Sequence, residues 1–305
     1  MYELIILNSY SIFQILNSIF LFIIGTAVGS FLNVLIDRWS NDQPITGRSH
    51  CDFCKKQLKS IDLIPIFSFL FLCGRSRCCN KKLSWQYPIV ELVTGIILFG
   101  IWNMEFGIWN GNKGMQNVEL ISKFFILNSS SIFQILNSIF LFGIITCLIV
   151  VFFADVKYQI IPDQIQIILL IIGFILQVSY MLLAGCNNGQ LLNCYIVKLL
   201  SFVVAGVVVM IPILLIYLIS RGRAMGFGDV KLAFNMGILL GAKGGLLALY
   251  FAFILGGIFG AYLLLSKKKK LKSKIAFGPF LVLGTLILLF FTPQIYLWLK
   301  QTYGF

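Results

Sequence analysis

Apolar positions in this chain fall in long unbroken runs, not in the alternation of a half-buried strand or the stripe of a surface helix. Runs of roughly membrane length occupy 12–36, 88–106, 131–153, 164–184, 195–219, 230–242, 246–265 and 277–299. A helix needs about 20 apolar residues to cross a bilayer. Backbone groups in lipid have no water to bond, so such runs form helices that satisfy their own N–H and C=O groups. The pattern predicts an all-α polytopic membrane protein with about eight transmembrane helices. The sixth run is short and glycine-rich, and without it the count is seven. A polar insert at 37–87 separates the first two runs, and a second polar stretch covers 107–123.

Composition sharpens this reading. Of 305 residues, 59% are apolar and 11% charged, which excludes an ordinary soluble domain. Positive charge then orients the spans. With the 37–87 insert in the cytoplasm, 19 of the 24 Lys and Arg residues fall on that side, and only Lys113, Lys123, Lys198, Lys243 and Lys300 fall opposite. Both chain ends then face outward. The net charge of +13 follows from this bias, with anionic lipid at Lys267–Lys270 as a minor partner, and does not call for nucleic acid. The first run is too long for a signal-peptide core and is followed by basic residues, so it reads as an uncleaved span. Residues 6–22 recur at 126–142 with one difference, Tyr10 against Ser130. Two copies make no solenoid, and a local duplication accounts for them.

The insert holds Cys51, Cys54, Cys73, Cys78 and Cys79. The spacing Cys51-Asp52-Phe53-Cys54 lets two thiolates reach one Zn²⁺ from a tight turn. The second cluster, Cys73-Gly74-Arg75-Ser76-Arg77-Cys78-Cys79, is irregular. Adjacent cysteines rarely ligate one metal together, yet Cys79 with either Cys78 or Cys73 is the expected second half. His50, the sole histidine, offers a substitute ligand. A cytoplasmic loop is reducing, which disfavours disulfides. For Cys73, beside an apolar run, a buried free thiol is the plainer reading. Cys147, Cys186 and Cys194 lie in or next to spans and read as packing residues.

Two acidic motifs flank apolar runs on the cytoplasmic side: Ala154 to Asp163, and Gly226-Phe227-Gly228-Asp229-Val230-Lys231. An ionisable group at a membrane boundary is a functional hypothesis by default. Asp163 follows Pro162 at a helix start and fits a capping role. Asp155 closes a helix, where an acid opposes the dipole, so capping does not explain it. Asp229 follows two glycines that permit a sharp turn and close helix approach. Two carboxylates brought together can share one proton, the chemistry of an aspartic protease.

Together these motifs resemble the type IV prepilin leader peptidases, which are bifunctional peptidase/N-methyltransferases with a GxGD aspartate. The likeness runs through Gly29-Ser30-Phe31-Leu32-Asn33-Val34 with Arg38, Ser49 to Cys54, Asp62 to Pro65, Gly74-Arg75, Tyr87 to Gly95, Asp155 to Asp163, Gly226 to Lys231, and Phe277 to Phe280. It implies Asp155 and Asp229 as the catalytic pair, with Asp163, Gly226, Gly228 and Lys231 in support. It implies Zn²⁺ on Cys51, Cys54 and Cys79 with a fourth Cys at 76; this chain has Ser76 there, so either Cys78 or Cys73 replaces the missing ligand, or zinc binding is weakened or lost. It also implies S-adenosylmethionine as methyl donor for N-methylation, with Glu91 among the residues involved. The implied substrates are type IV prepilins or pseudopilins, cut after a Gly at the cytoplasmic face of the bacterial inner membrane. The corresponding organisation is a first helix at 1–36, the cytoplasmic cysteine loop at 37–87, a second helix and outward loop at 88–128, and a membrane-embedded aspartic peptidase region at 129–305. Another GxGD intramembrane protease would share only Gly226–Asp229. A proton-coupled transporter would place its acids at the midplane, in matching broken helices. The single histidine excludes a Ser/His/Asp triad beyond the metal loop and a His-Glu-x-x-His metalloprotease.

Overall fold

The computed structural model describes residues 2–105, 131–183, 191–267 and 275–303. The polar stretch at 107–123, Cys186 and Lys268–Lys270 lie outside the described residues. Described residues form helices α1 (Tyr2–Trp39), α2 (Phe67–Phe71), α3 (Gln86–Glu105), α4 (Ser131–Tyr158), α5 (Asp163–Leu183), α6 (Leu191–Ser220), α7 (Phe227–Leu265) and α8 (Gly278–Tyr303). Among them there is no strand, only isolated bridges at His50–Gln57 and Arg75–Lys82. Among the described residues, four segments are long and apolar enough to cross a membrane: Ile15–Trp39, Ile135–Tyr158, Tyr195–Ser220 and Phe227–Leu265. Asp163–Ser179 and Gly278–Thr292 are shorter apolar helices. Phe20, Ile139, Val197 and Ile258 are exposed, the kind of surface that lipid rather than water covers.

The chain divides into two compact units, 1–122 with 131–142, and 123–130 with 143–305. In the first, α1 and α3 pack antiparallel at close range. A Cβ on Gly29 would lie 2.6 Å from Glu91 Cα, and one on Gly25 would lie 2.8 Å from Gly95 Cα. Small residues let these backbones touch, as helices in lipid commonly do. Past α1 the chain wraps round Arg38. Its Nη1 donates to the carbonyls of Pro44, Ile45 and Thr46, and its Nη2 to those of Gly47 and Arg48.

In the second unit, α7 is two helices. A straight helix would hold Gly237 and Gly245 about 12 Å apart, yet a Cβ on Gly245 would lie 3.3 Å from Gly237 Cα. The chain reverses at Gly241, whose φ of 72° is left-handed and suits glycine. The break leaves helical carbonyls without N–H partners. Gln177 of α5 covers two of them, its Nε2 donating to Ile238 O at 2.9 Å and Leu239 O at 3.0 Å. The apolar runs 230–242 and 246–265 are therefore separate arms of a helical hairpin. Pro212 lies inside α6, a position that neighbouring groups make tolerable in a membrane.

Candidate active site and metal centre

The second unit brings the two motif aspartates together. Asp155 lies in the last turn of α4 and Asp229 in the first turn of α7, and both are buried, 5% and 7% exposed. Both motifs meet at Ile161, which packs against Gly228 beside Asp229 and against Gly278, whose N–H holds Asp155. Each carboxylate is held by a backbone N–H at a helix start. Asp155 Oδ2 accepts from Gly278 N–H at 2.8 Å, and Asp229 Oδ2 accepts from Gly226 N–H at 3.1 Å. The α8 start thus offsets the unfavourable C-terminal position that Asp155 has on its own helix.

Gly228 and Gly278 are small for a reason visible at Ile161. A Cβ on Gly228 would lie 3.1 Å from Ile161 Cβ, and one on Gly278 would lie 3.2 Å from Ile161 Cδ1 and 2.6 Å from Asp155 Oδ2. Behind the Gly228 turn, Gln166 Nε2 donates to Gly228 O at 3.0 Å, and Asn235 Nδ2 donates to Gln166 Oε1 at 2.8 Å. Both side chains are buried. Neither Gln166 nor Asn235 is part of an acidic motif. Their only sequence signal is a polar residue inside an apolar run.

Asp163 departs from the capping expectation. It is the first residue of α5, and Pro162 O accepts the first bond of that helix from Gln166 N–H. The Asp163 carboxylate instead pairs with Lys231 Nζ at 2.6 Å, and Lys231 also lies over the Phe227 ring. Both side chains are substantially exposed, so the pair adds about 1 kcal/mol at most.

In the first unit, Cys51, Cys54, Cys78 and Cys79 bring four sulfur atoms within 4.8 Å of one another. They come from two matched turns. Lys55 N–H bonds Cys51 O and Cys51 N–H bonds Lys56 O, while Asn80 N–H bonds Ser76 O and Ser76 N–H bonds Lys81 O. Lys55 and Asn80 are left-handed, at φ 58° and 54°. Ser76 therefore occupies in the second turn the place Cys51 has in the first, and Cys79 the place of Cys54. Ser76 Oγ reaches Cys51 Sγ at 3.3 Å and Cys78 Sγ at 3.0 Å. Cys78 supplies the fourth thiol that a serine cannot. Adjacent cysteines do share this cluster, contrary to the general expectation, because they occupy successive positions of one tight turn. Cys73 is exposed and outside the cluster, as is His50.

The cluster fits a tetrahedral thiolate site. Sulfurs about 2.3 Å from zinc lie roughly 3.8 Å apart; Cys51 and Cys79 are 3.7 Å apart, while Cys54 and Cys78, at 3.0 Å, would have to spread to admit the ion. Burial works against a Cys51 thiolate, but the N–H groups of Cys54 and Phe53 and the Ser76 hydroxyl outweigh it and lower its pKa to about 6. Ser76 favours a Cys78 thiolate too, but neighbouring Cys54 and Cys51 push that thiol up to about 12. One thiolate forms readily and a second is opposed, so full ionisation calls for a cation. These four cysteines can hold a metal ion.

Residues 23–105 match the model for the bacterial peptidase A24 N-terminal domain, and 141–261 the model for the type IV leader peptidase family. Among curated proteins, the chain is similar to a prepilin leader peptidase/N-methyltransferase of Bacillus subtilis, 28% identical over 88% of this chain and 91% of that protein. It is likewise similar to those of Legionella pneumophila, 29% identical over 82% and 75%, and Xanthomonas campestris, 27% over 88% and 88%. No solved structure matches it. Apolar helices and these bacterial relatives indicate a bacterial membrane protein. With both domain models matched in order along one chain, the protein belongs to the type IV leader peptidase family and is a membrane peptidase.

Proposed function

We propose that Asp155 and Asp229 are the catalytic pair of an aspartic endopeptidase that removes the basic leader of type IV prepilins or pseudopilins after a Gly. The observation that carries this reading is the convergence of two buried carboxylates, each on a backbone N–H and both set around Ile161. One ionised carboxylate acts as general base on a water, and its protonated partner polarises the scissile carbonyl. The proton belongs to the pair and not to either residue. Gly226 and Gly228 shape the turn that carries Asp229, while Lys231 and Asp163 brace its surface. Asp155→Asn and Asp229→Asn should each abolish cleavage of a prepilin peptide by purified, stably inserted protein, and Asp163→Asn should retain most activity. An active Asp155→Asn beside a dead Asp163→Asn would mean the pair is misassigned.

The names of the relatives favour a second activity, N-methylation of the new amino terminus. S-adenosylmethionine would supply the methyl group, with Glu91 of the first unit among the residues involved. Zn²⁺ on Cys51, Cys54, Cys78 and Cys79 would stabilise an insert with little apolar core of its own. We assign eight spans, the α7 arms counted separately, with both termini outside and the aspartates at the cytoplasmic face of the inner membrane. The 19-to-5 charge split supports that orientation.

A further inference from the structure

The cysteine insert carries an apolar face that no described residue covers. Its short helix α2 is stopped by two left-handed residues, Cys73 at φ 49° and Gly74 at φ 69°, with Gly74 N–H closing the last turn on Phe69 O at 2.9 Å. Phe69 is the one side chain that α2 buries. Its ring lies 5.0 Å from that of Trp85, and a Cβ on Gly74 would lie 3.1 Å from it. Phe67, Leu70 and Phe71 stand three and four residues apart on a different side and are 61%, 61% and 83% exposed. Trp85 is exposed beside them through its contact with Phe69. Three aromatic rings and a leucine in one exposed patch mark a surface that another apolar phase covers.

Two observations identify that phase as lipid. The first is continuity with a membrane-facing helix. α3 runs beside the span Ile15–Trp39, with Asn33 Nδ2 donating to Tyr87 O at 3.1 Å near one end and Ser18 Oγ to Asn103 Oδ1 at 3.1 Å near the other. Ile89, Leu92, Ile96 and Phe99 form an exposed stripe along α3. Ile89 N–H bonds Trp85 O at 3.2 Å, so Trp85 heads the same stripe one turn earlier and joins it to α2. The second is charge. Arg75 and Lys82 face each other in an isolated antiparallel bridge, and both are exposed. Cations flanking an apolar aromatic face are suited to anionic headgroups, and tryptophan favours that depth. We propose that the cysteine insert lies on the bilayer, with Phe67, Leu70, Phe71 and Trp85 seated where the headgroups of anionic phospholipid meet the acyl chains. Gly74 O accepts from Leu83 N–H at 2.8 Å and Ser76 N–H bonds Lys81 O at 2.8 Å, so the same ladder ties this face to the second cysteine turn. The cysteine cluster is thereby held at the membrane surface.

The test puts a fluorescent probe at the most exposed of these positions. Phe71→Trp exchanges one exposed ring for another, so the variant should unfold at the wild-type temperature. Purified full-length protein is placed, one chain per disc, in nanodiscs of phosphatidylcholine and phosphatidylglycerol whose acyl chains carry bromine near the headgroup or near the chain end. Subtracting wild-type emission removes the five native tryptophans. The remaining emission should fall by roughly half with bromine near the headgroup, the depth of an interfacial aromatic, and change little with bromine at the chain end. Adding Arg75→Gln and Lys82→Gln, or omitting phosphatidylglycerol, should weaken that quenching. Emission untouched by either brominated lipid would overturn the proposal. An unquenched probe whose emission shifts to the blue only with two chains per disc would replace lipid by a second copy. The same shift only on addition of a prepilin peptide would replace it by the substrate's apolar stem. Quenching indifferent to both charge changes would overturn the role given to Arg75 and Lys82.

Discussion

Gly278→Ala separates the placement of Asp155 from its chemistry. The new Cβ would lie 2.6 Å from Asp155 Oδ2 and 3.1 Å from Asp155 Cγ, where ordinary contact begins at 3.4 Å. Something must move by about 0.8 Å, and the movable part is the carboxylate, since it ends a side chain. The swing lengthens the 2.8 Å bond from Gly278 N–H that fixes Asp155. Because a side chain and not a backbone yields, the stability cost should be near the low end of overpacking, about 1 kcal/mol. The catalytic cost should be far larger, since misplacing a reacting group by about 1 Å costs on the order of a hundredfold in rate. The assay is cleavage of a prepilin peptide by purified protein in detergent, read beside thermal unfolding. Gly257→Ala is the matched control, with nothing within 4 Å of its Cβ, and should cleave like wild type. A Gly278→Ala protein that cleaves within twofold of wild type would show that Asp155 does not work from the position α8 gives it.

Purified protein should contain about one zinc per chain, lost in Cys51→Ser but retained in Cys73→Ser, because Cys73 lies outside the cluster. Thiol ligands must lose their protons to bind metal, and the Cys78 thiol is pushed up by its cysteine neighbours, so metal analysis across pH should show affinity falling steadily as pH falls. A pH-independent affinity would exclude thiolate ligation by this cluster. Gly237→Ala places a Cβ 2.4 Å from Ala205 O, where only backbone could yield, so α6 and α7 must separate at a cost of about 1–3 kcal/mol or more in thermal unfolding. Reporter fusions after Lys82, Tyr158 and Arg223 should report cytoplasm, and fusions near Lys113, Asn188 and Lys243 the outside. A cytoplasmic signal at Lys243 would mean that the α7 hairpin does not cross the membrane twice.

By itself the sequence determined what depends on solvent and local backbone. Long apolar runs dictated helices because lipid leaves a backbone no other partner. The acidic motifs marked Asp155 and Asp229, and Cys51 with Cys54 announced a metal turn, because these signals lie within a few consecutive residues. Tertiary structure decided what depends on partners far along the chain. The short run 230–242 ends where Gly241 reverses the helix, and that reversal is tolerable because Gln177 covers the exposed carbonyls from another helix. Asp163 looked like a cap until Lys231, 68 positions away, met its carboxylate. Ser76 reads as a missing ligand in the sequence, yet folding puts Cys78 beside Cys54, 24 positions away, to complete four sulfurs. Nothing in the pattern foretold that Asn33 of α1 would bond Tyr87 of α3, 54 positions away. A side chain's local environment is written in its neighbours, but its hydrogen-bond partner depends on which backbones pack closely enough to meet.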